Sequence, residues 1–205
     1  MFLSASIDKE QVRIVMDPYQ DSIGLKLPSM EADVVLVSRD DADHNNATAV
    51  KGDPFLVTNP GEYDVKGVVI QGISSGAGTE GKKQAHNTIY VLEAEGLRLC
   101  HLGALGQKEL TPEQVEKIGA IDILFVPVGG EEVIGAKEAG DIVQQIEPKM
   151  VIPIHFAIPK LKAKLEGVEL FLKTIGKSGV EPQQKITVKL KDLMETELMV
   201  GVLKP

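Results

Sequence analysis

The stretch VSRDDADHNN, residues 37–46, puts Arg39, Asp40, Asp41, Asp43 and His44 directly after an apolar run. Carboxylates and an imidazole in one short loop are oxygen and nitrogen donors of the kind a divalent cation takes. A guanidinium is not: it is permanently protonated and carries only N–H groups. Three arrangements therefore stand open. Arg39 supplies the positive charge itself and neutralises Asp41 and Asp43 through paired hydrogen bonds. Alternatively it extends into solvent over a relaxed loop, or it stands beside one weakly held ion.

Cation sites on β scaffolds gather at strand ends, where loops converge and the strands hold them rigid. His44 follows the run DVVLVS, His101 lies near the end of LRLCHLG, His155 ends MVIPIH, and His86 stands alone in a polar loop. Three strand-end histidines point to an actual or former metal site, although such an imidazole can also serve only to bond a neighbouring carbonyl.

The elements that must position these residues follow from periodicity. QVRIVMDP alternates Val12, Ile14 and Met16 inward and stops at Asp17-Pro18. ADVVLVS is a continuous β-branched run, as expected of a strand buried on both faces. PFLVTNPGEYDVKGVVIQGIS is read as two strands around Asn59-Pro60-Gly61, and Thr88–Ala94 with Leu97–Leu102 as a hairpin turning at Glu95-Gly96. Between them SSGAGTEGKKQAH, with Lys82 and Lys83, is read as a solvated loop. Thr111-Pro112 opens a helix to about Ile118, IDILFVPVGG is a buried strand ending in the Gly129-Gly130 turn, and GAKEAGDIVQQIEP is an amphipathic helix closed by Pro148. KMVIPIHF is a further strand. KLKAKLEGVELFLKTIGKSG is read as two helical turns and a longer helix, and the tail as strand with Ile186, Val188 and Leu190 on one face. Strands followed by a βαβα run predict one layered α/β domain over residues 1–205.

Composition narrows the partners. A net charge of −8 argues against a nucleic-acid backbone or an anionic membrane as partner. No run approaches the roughly 20 apolar residues of a membrane helix, and the first residues show no basic, then apolar, leader. The expectation is a cytoplasmic protein whose partner is a small molecule or another protein, with self-association plausible. Cys100, in an apolar run, reads as a buried small hydrophobe.

The ordered blocks ADVVLVSRDDADHNN, NPGEYDVKGVVIQGI, NTIYVLE…GLRLCHLGALG, DILFVPVGG and PKMVIPIHF resemble metallo-β-lactamase-fold hydrolases, most of all the branch of small zinc-dependent hydrolases related to ascorbate-phosphate lactonases. The resemblance spans roughly residues 12–160 and implies a four-layered αβ/βα sandwich with a two-zinc centre. The family motif His-x-His-x-Asp-His falls on Arg39 to His44, so Arg39 and Asp41 occupy two histidine positions of the first zinc. The loop that should supply its third histidine, GISSGAGTEGKK, holds none, and Ala104 in HLGALG stands where the family has a bridging aspartate. The second zinc's ligands, by the same resemblance, are Asp43, His44 and His155, with Asp43 the candidate catalytic residue. Arg39, Asp41, His101 and Ala104 line that site. By the same resemblance Asp17 ends a strand or partners the ligands, and Glu62 and Tyr63 sit at a turn near the pocket rim.

Two functional expectations follow. The first is a fold member with a degenerate metal centre, without two-metal hydrolysis, kept to bind a ligand or partner. The alternative is a hydrolase of a lactone or phosphoester that uses zinc at one site.

Overall fold

The computed structural model describes residues 1–7, 9–77, 85–194 and 197–204. Two sheets carry the site. The smaller has the order β1 (Phe2–Ile7), β2 (Glu10–Met16), β3 (Val34–Leu36), β4 (Phe55–Val57), antiparallel at β1/β2 and parallel beyond. The larger runs β11-β10-β9-β8-β7-β6-β5 and is formed by β5 (Gly61–Val65), β6 (Val68–Ala77), β7 (Ala85–Ala94), β8 (Leu97–His101), β9 (Ile123–Pro127), β10 (Met150–Ile154) and β11 (Met199–Val200). Its first half is an antiparallel meander, and from β8 onward neighbouring strands are parallel.

Strand alternation decides what faces what. Ile14, Met16, Leu36 and Val57 of the small sheet pack against Ile70, Tyr90, Leu92, Phe125 and Ile152 of the large one. On the other face of the large sheet, Val91, Cys100, Leu124, Val126 and Val151 meet the three helices. These are α1 (Pro112–Ile118), α2 (Ala136–Ile146) and α3 (Val168–Thr174). α1 starts at a reciprocal cap in which Gln114 N donates to Thr111 Oγ1 and Thr111 N donates to Gln114 Oε1. α2 turns Ala139, Ile142 and Val143 inward and ends at Glu147, whose φ of 52° breaks the helix before Pro148. The outer face of the small sheet, Val15, Val35 and Val37, is covered by Met30, Ala32, Ala47 and Val50 from irregular chain and a 3-10 turn. Two facing sheets, with helices against the outer face of the larger, make the mixed α/β architecture expected from the sequence. Cys100 is fully buried, and burial pushes its thiol well above the usual range.

Several local expectations change. β1 is an additional strand whose partner is β2. The stretch read as two strands around Asn59-Pro60-Gly61 holds three. Lys66 (φ 52°) and Gly67 (φ 78°) form a tight turn between β5 and β6, with the left-handed backbone that a two-residue hairpin needs. β6 and β7 extend into both ends of the segment read as loop, while residues 78–84, Lys82 and Lys83 included, lie outside the described residues. Residues 161–167 form no helical turns, and their backbone instead bonds across to other segments. In the tail, Ile186 and Val188 pack against the core from irregular chain, and Leu190 is exposed at the start of a 3-10 turn. Hydrophobic alternation there serves packing without a ladder, because β10 already takes its edge partner from residues 199–200. No helix among the described residues is long and apolar enough to cross a membrane.

Candidate functional site

β2, β3, β8 and β10 deliver their C-terminal ends to one cavity of about 240 Å³. Asp17, Asp43, His44, His101 and His155 line it, and Gly103 closes part of its floor. The strand-end histidines 44, 101 and 155 therefore do meet, whereas His86 stands apart, exposed on β7. Glu62 and Tyr63 lie on β5, away from the cavity lining.

Asp17 follows β2 with φ at 50°, a conformation uncommon outside glycine. Its Oδ1 accepts from Ser38 N at 2.7 Å, and its Oδ2 accepts from Ser38 Oγ at 2.8 Å and lies 2.7 Å from His101 Nε2. Burial alone would raise this carboxyl, but the adjacent His101, with His44 and the Ser38 amide, outweighs it and holds Asp17 well below the usual carboxylate range. Asp17 thus ends the strand and ties the small sheet to β8. His101 Nδ1 is buried and has no hydrogen-bond partner among the described residues.

Asp41 organises the metal-loop motif. Its Oδ2 takes the Arg39 Nε, and its Oδ1 lies 2.8 Å from His44 Nδ1 and accepts the Asp43 amide at 3.1 Å. Arg39 is only 8% exposed and also reaches Glu132 in the β9–α2 loop, Nη2 to Oε2 at 3.2 Å. Of the open arrangements, solvent extension of Arg39 is excluded by this burial. The guanidinium pairs with Asp41 and Glu132 rather than with Asp43.

His155, directly after β10, also has positive φ, 52°. Its ring lies parallel to that of His44, with centroids 5.4 Å apart. Burial, then the neighbouring His44 and Arg39 charges, hold its imidazole down to about 3, so it is neutral at pH 7. Asp43 moves the other way: partial burial and the Asp41 charge raise its carboxyl. Among the described residues, no group of three or more His, Cys, Asp or Glu side chains is drawn together to hold a metal ion. Asp43, His44 and His155 share the cavity without forming a finished coordination cluster.

Ala104 is fully buried and brings no carboxylate, and its amide donates to Asn87 Oδ1 at 2.8 Å. Asn87, which sequence reasoning passed over, is buried between β6 and β8 and also donates to Ser75 Oγ and Leu102 O. It stands between the polar His86 and Thr88, so nothing in the local pattern marked it. Glu132 was missed too, and no spacing rule connects it to Arg39. Gly129 has a clear role: a Cβ there would lie 2.2 Å from His155 O, so only glycine lets the β9 loop pass beneath the cavity-lining histidine.

The β-lactamase superfamily domain family matches residues 4–155 of the chain. The chain belongs to that family. A metal-dependent hydrolase of Thermococcus onnurineus is 26% identical over 172 residues, covering 70% of this chain and 77% of the relative. A crystal structure from Thermotoga maritima, of a metallo-β-lactamase superfamily member suggested to be a Zn-dependent hydrolase, is 33% identical. It superposes with a TM-score of 0.75 and covers 99% of this chain and 95% of that one. The metallo hydrolase Igni18 of Ignicoccus hospitalis, at 15% identity and a TM-score of 0.63, shares the fold.

The donor set does not fit a two-ion centre. Arg39 cannot ligate, Asp41 is engaged by both Arg39 and His44, and Ala104 offers nothing between two ions. One ion is a different matter. Asp43, His44 and His155 line the cavity together, and Asp41 engages His44 at Nδ1, on the side away from its Nε2.

Proposed function

We propose that this metallo-β-lactamase family member is a hydrolase using a single metal ion held by Asp43, His44 and His155. The observation that carries this reading is the Asp41–His44 hydrogen bond. A carboxylate on one imidazole nitrogen fixes the ring and raises the basicity of the other nitrogen, an arrangement usual behind metal-ligating histidines. In this reading Asp41, at a position where the family has a histidine ligand of one ion, orients a ligand of the other. The depressed His155 adds support, since a ligand must be unprotonated and this one already is at neutral pH. Left-handed backbone at Asp17 and His155 costs on the order of 1–3 kcal/mol each, and such strain clusters at working sites. Relatives named metal-dependent hydrolases weigh in the same direction.

An ion so held would acidify a bound water and polarise a scissile carbonyl or phosphoryl group. The chain's own residues would bind the substrate body, keep His44 oriented and offer Asp43 as an ionised ligand, the ion offsetting the partial burial and Asp41 charge that raise its carboxyl. Drawing three separated donors together beside Arg39 makes the affinity for metal weak.

A second reading rests on Arg39. Its charge, shared by Asp41 and Glu132, neutralises that part of the acidic loop without metal, as a ligand-binding protein would need. Hydrolysis of p-nitrophenyl butyrate and bis-p-nitrophenyl phosphate, with zinc and with chelator, separates the two. Zinc-dependent turnover abolished by His155→Ala supports the hydrolase, and equal rates with and without metal reject it.

A further inference from the structure

The cavity wall differs in character from its floor. Residues 156–165 leave β10 and fold back over the 3-10 turn at Asp21–Ile23: Ala157 N donates to Glu166 O, Glu166 N to Gly129 O, and Lys162 N to Ile23 O, at 2.9, 2.8 and 2.9 Å. This irregular chain, read from its sequence as helical from Lys160 onward, instead roofs the site. Two glycines seat it. A Cβ on Gly24 would lie 2.3 Å from Lys160 O, and one on Gly129 would lie 2.2 Å from His155 O. The roof is pressed onto backbone at both places, so the wall is preformed.

What this wall presents is aliphatic. Ile158, Leu161 and Leu165 of the roof join Ile23, Leu25 and Ile154 in the lining. All six are only half-buried, and all but Ile154 stand outside the three core clusters of the described residues. Packing of the fold therefore does not consume their surface; the chain path gathers it around an open space. A single exposed leucine would mean nothing, whereas a convergent apolar set in a concavity is how ligand bodies are held. Asp43, His44 and His155 line the same cavity. An occupant that satisfies both parts needs a polar group for the imidazoles and an aliphatic body for the roof.

We infer that the wall under the 156–165 roof is the binding site for an aliphatic chain, the body of a substrate whose carbonyl or phosphoryl end lies by His44 and His155. The wall selects the chain and leaves the head group to the ion. The inference deepens the hydrolase reading by naming the substrate's body and rests on that reading for turnover, while binding alone tests it separately. About 240 Å³ limits the occupant to a short chain.

The test is an NMR titration of isotope-labelled, metal-free protein with n-butanol and n-hexanol, which share a head group and differ only in chain length. Hexanol should bind about tenfold more tightly and should shift the amides of Ile23, Leu25, Ile158 and Leu161. Ile158→Asp and Leu161→Asp, which set a charge in the wall without entering the core, should each weaken hexanol by about tenfold or more. Leu170→Asp, at an exposed leucine of α3 away from the cavity, should leave its affinity unchanged. Equal affinities for the two alcohols overturn the inference, as do shifts confined to other segments or hexanol binding unaltered in both wall variants. Turnover by zinc-loaded protein tells the head groups apart: p-nitrophenyl hexanoate is set against the butyrate, and hexyl p-nitrophenyl phosphate against its butyl counterpart. Whichever head is hydrolysed, its longer chain should raise kcat/KM by about tenfold, and equal values overturn the inference. Chain-dependent binding without any turnover sinks the hydrolase reading and leaves this inference standing.

Discussion

One carboxylate, Asp41, joins Arg39 to His44: Oδ2 takes the guanidinium Nε and Oδ1 sits 2.8 Å from the imidazole Nδ1. Burial works against the Asp41 charge, but His44 and Arg39 together hold its carboxyl below the usual range. A guanidinium in a metal loop is thereby made compatible with a histidine that keeps one nitrogen free.

Removing that link should separate stability from metal binding. Asp41→Ala strands a largely buried guanidinium with only Glu132, and should cost about 1–3 kcal/mol in urea unfolding of metal-free protein. The same change should weaken zinc affinity roughly 10- to 100-fold through loss of His44 orientation. Arg39→Ala should lower metal-free stability too, because Asp41 then loses its cation. Unchanged unfolding midpoints in both variants would refute the ion-pair role.

Ala104→Asp tests the missing bridge. The site is fully buried, so an added carboxylate without a partner should destabilise chelator-treated protein by several kcal/mol, roughly 3–5. Zinc should restore more of the thermal midpoint in this variant than in the unaltered protein. Equal midpoints with and without zinc would show that position 104 does not face the ion.

Acid should act through Asp17. Its folded-state carboxyl lies below the unfolded value near 4, so its contribution is present above pH 4 and disappears as the pH falls through the folded value. Unfolding free energy should therefore drop between about pH 4 and pH 2. Asp17→Asn should cost about 1–3 kcal/mol at pH 7 and remove that part of the acid slope. An unaltered slope would assign the acid loss elsewhere.

Gly103 and Gly176 make a matched pair. Both have positive φ, 60° and 71°, but a Cβ at Gly103 would meet Ser38 Cβ at 2.4 Å, while at Gly176 it meets nothing within 4 Å. Gly103→Ala should cost about 2–4 kcal/mol and disturb the Ser38–Asp17 bonds, against about 1 kcal/mol for Gly176→Ala. Similar losses, measured by urea unfolding, would argue that close packing at Gly103 is unimportant.

Strong periodicity made much of the fold legible. Val34, Val35 and Leu36 are buried on both faces as a β-branched run demands, and Thr111-Pro112 caps α1 as read. The hairpin turns at Glu95-Gly96, where both residues take left-handed φ. Weak or amphipathic tracts misled. Residues 161–167 have helical spacing, yet their leucines serve the cavity and their backbone is taken by Ile23 and Gly129. The motif brought Asp43, His44 and His155 to one cavity, but Glu132 is invisible in sequence because it is 93 residues from Arg39. Tyr90, read only as part of a block, donates its hydroxyl to Val37 O at 2.8 Å and so anchors the strand that carries the loop.

The central claim is one ion held by Asp43, His44 and His155. Protein stripped with chelator and brought to equilibrium dialysis with zinc in saturating excess, with bound metal measured against the dialysate, tests it most directly. The account expects one equivalent of zinc per chain, lost in His155→Ala and in His44→Ala. Two equivalents, none, or one equivalent retained in both variants would contradict it.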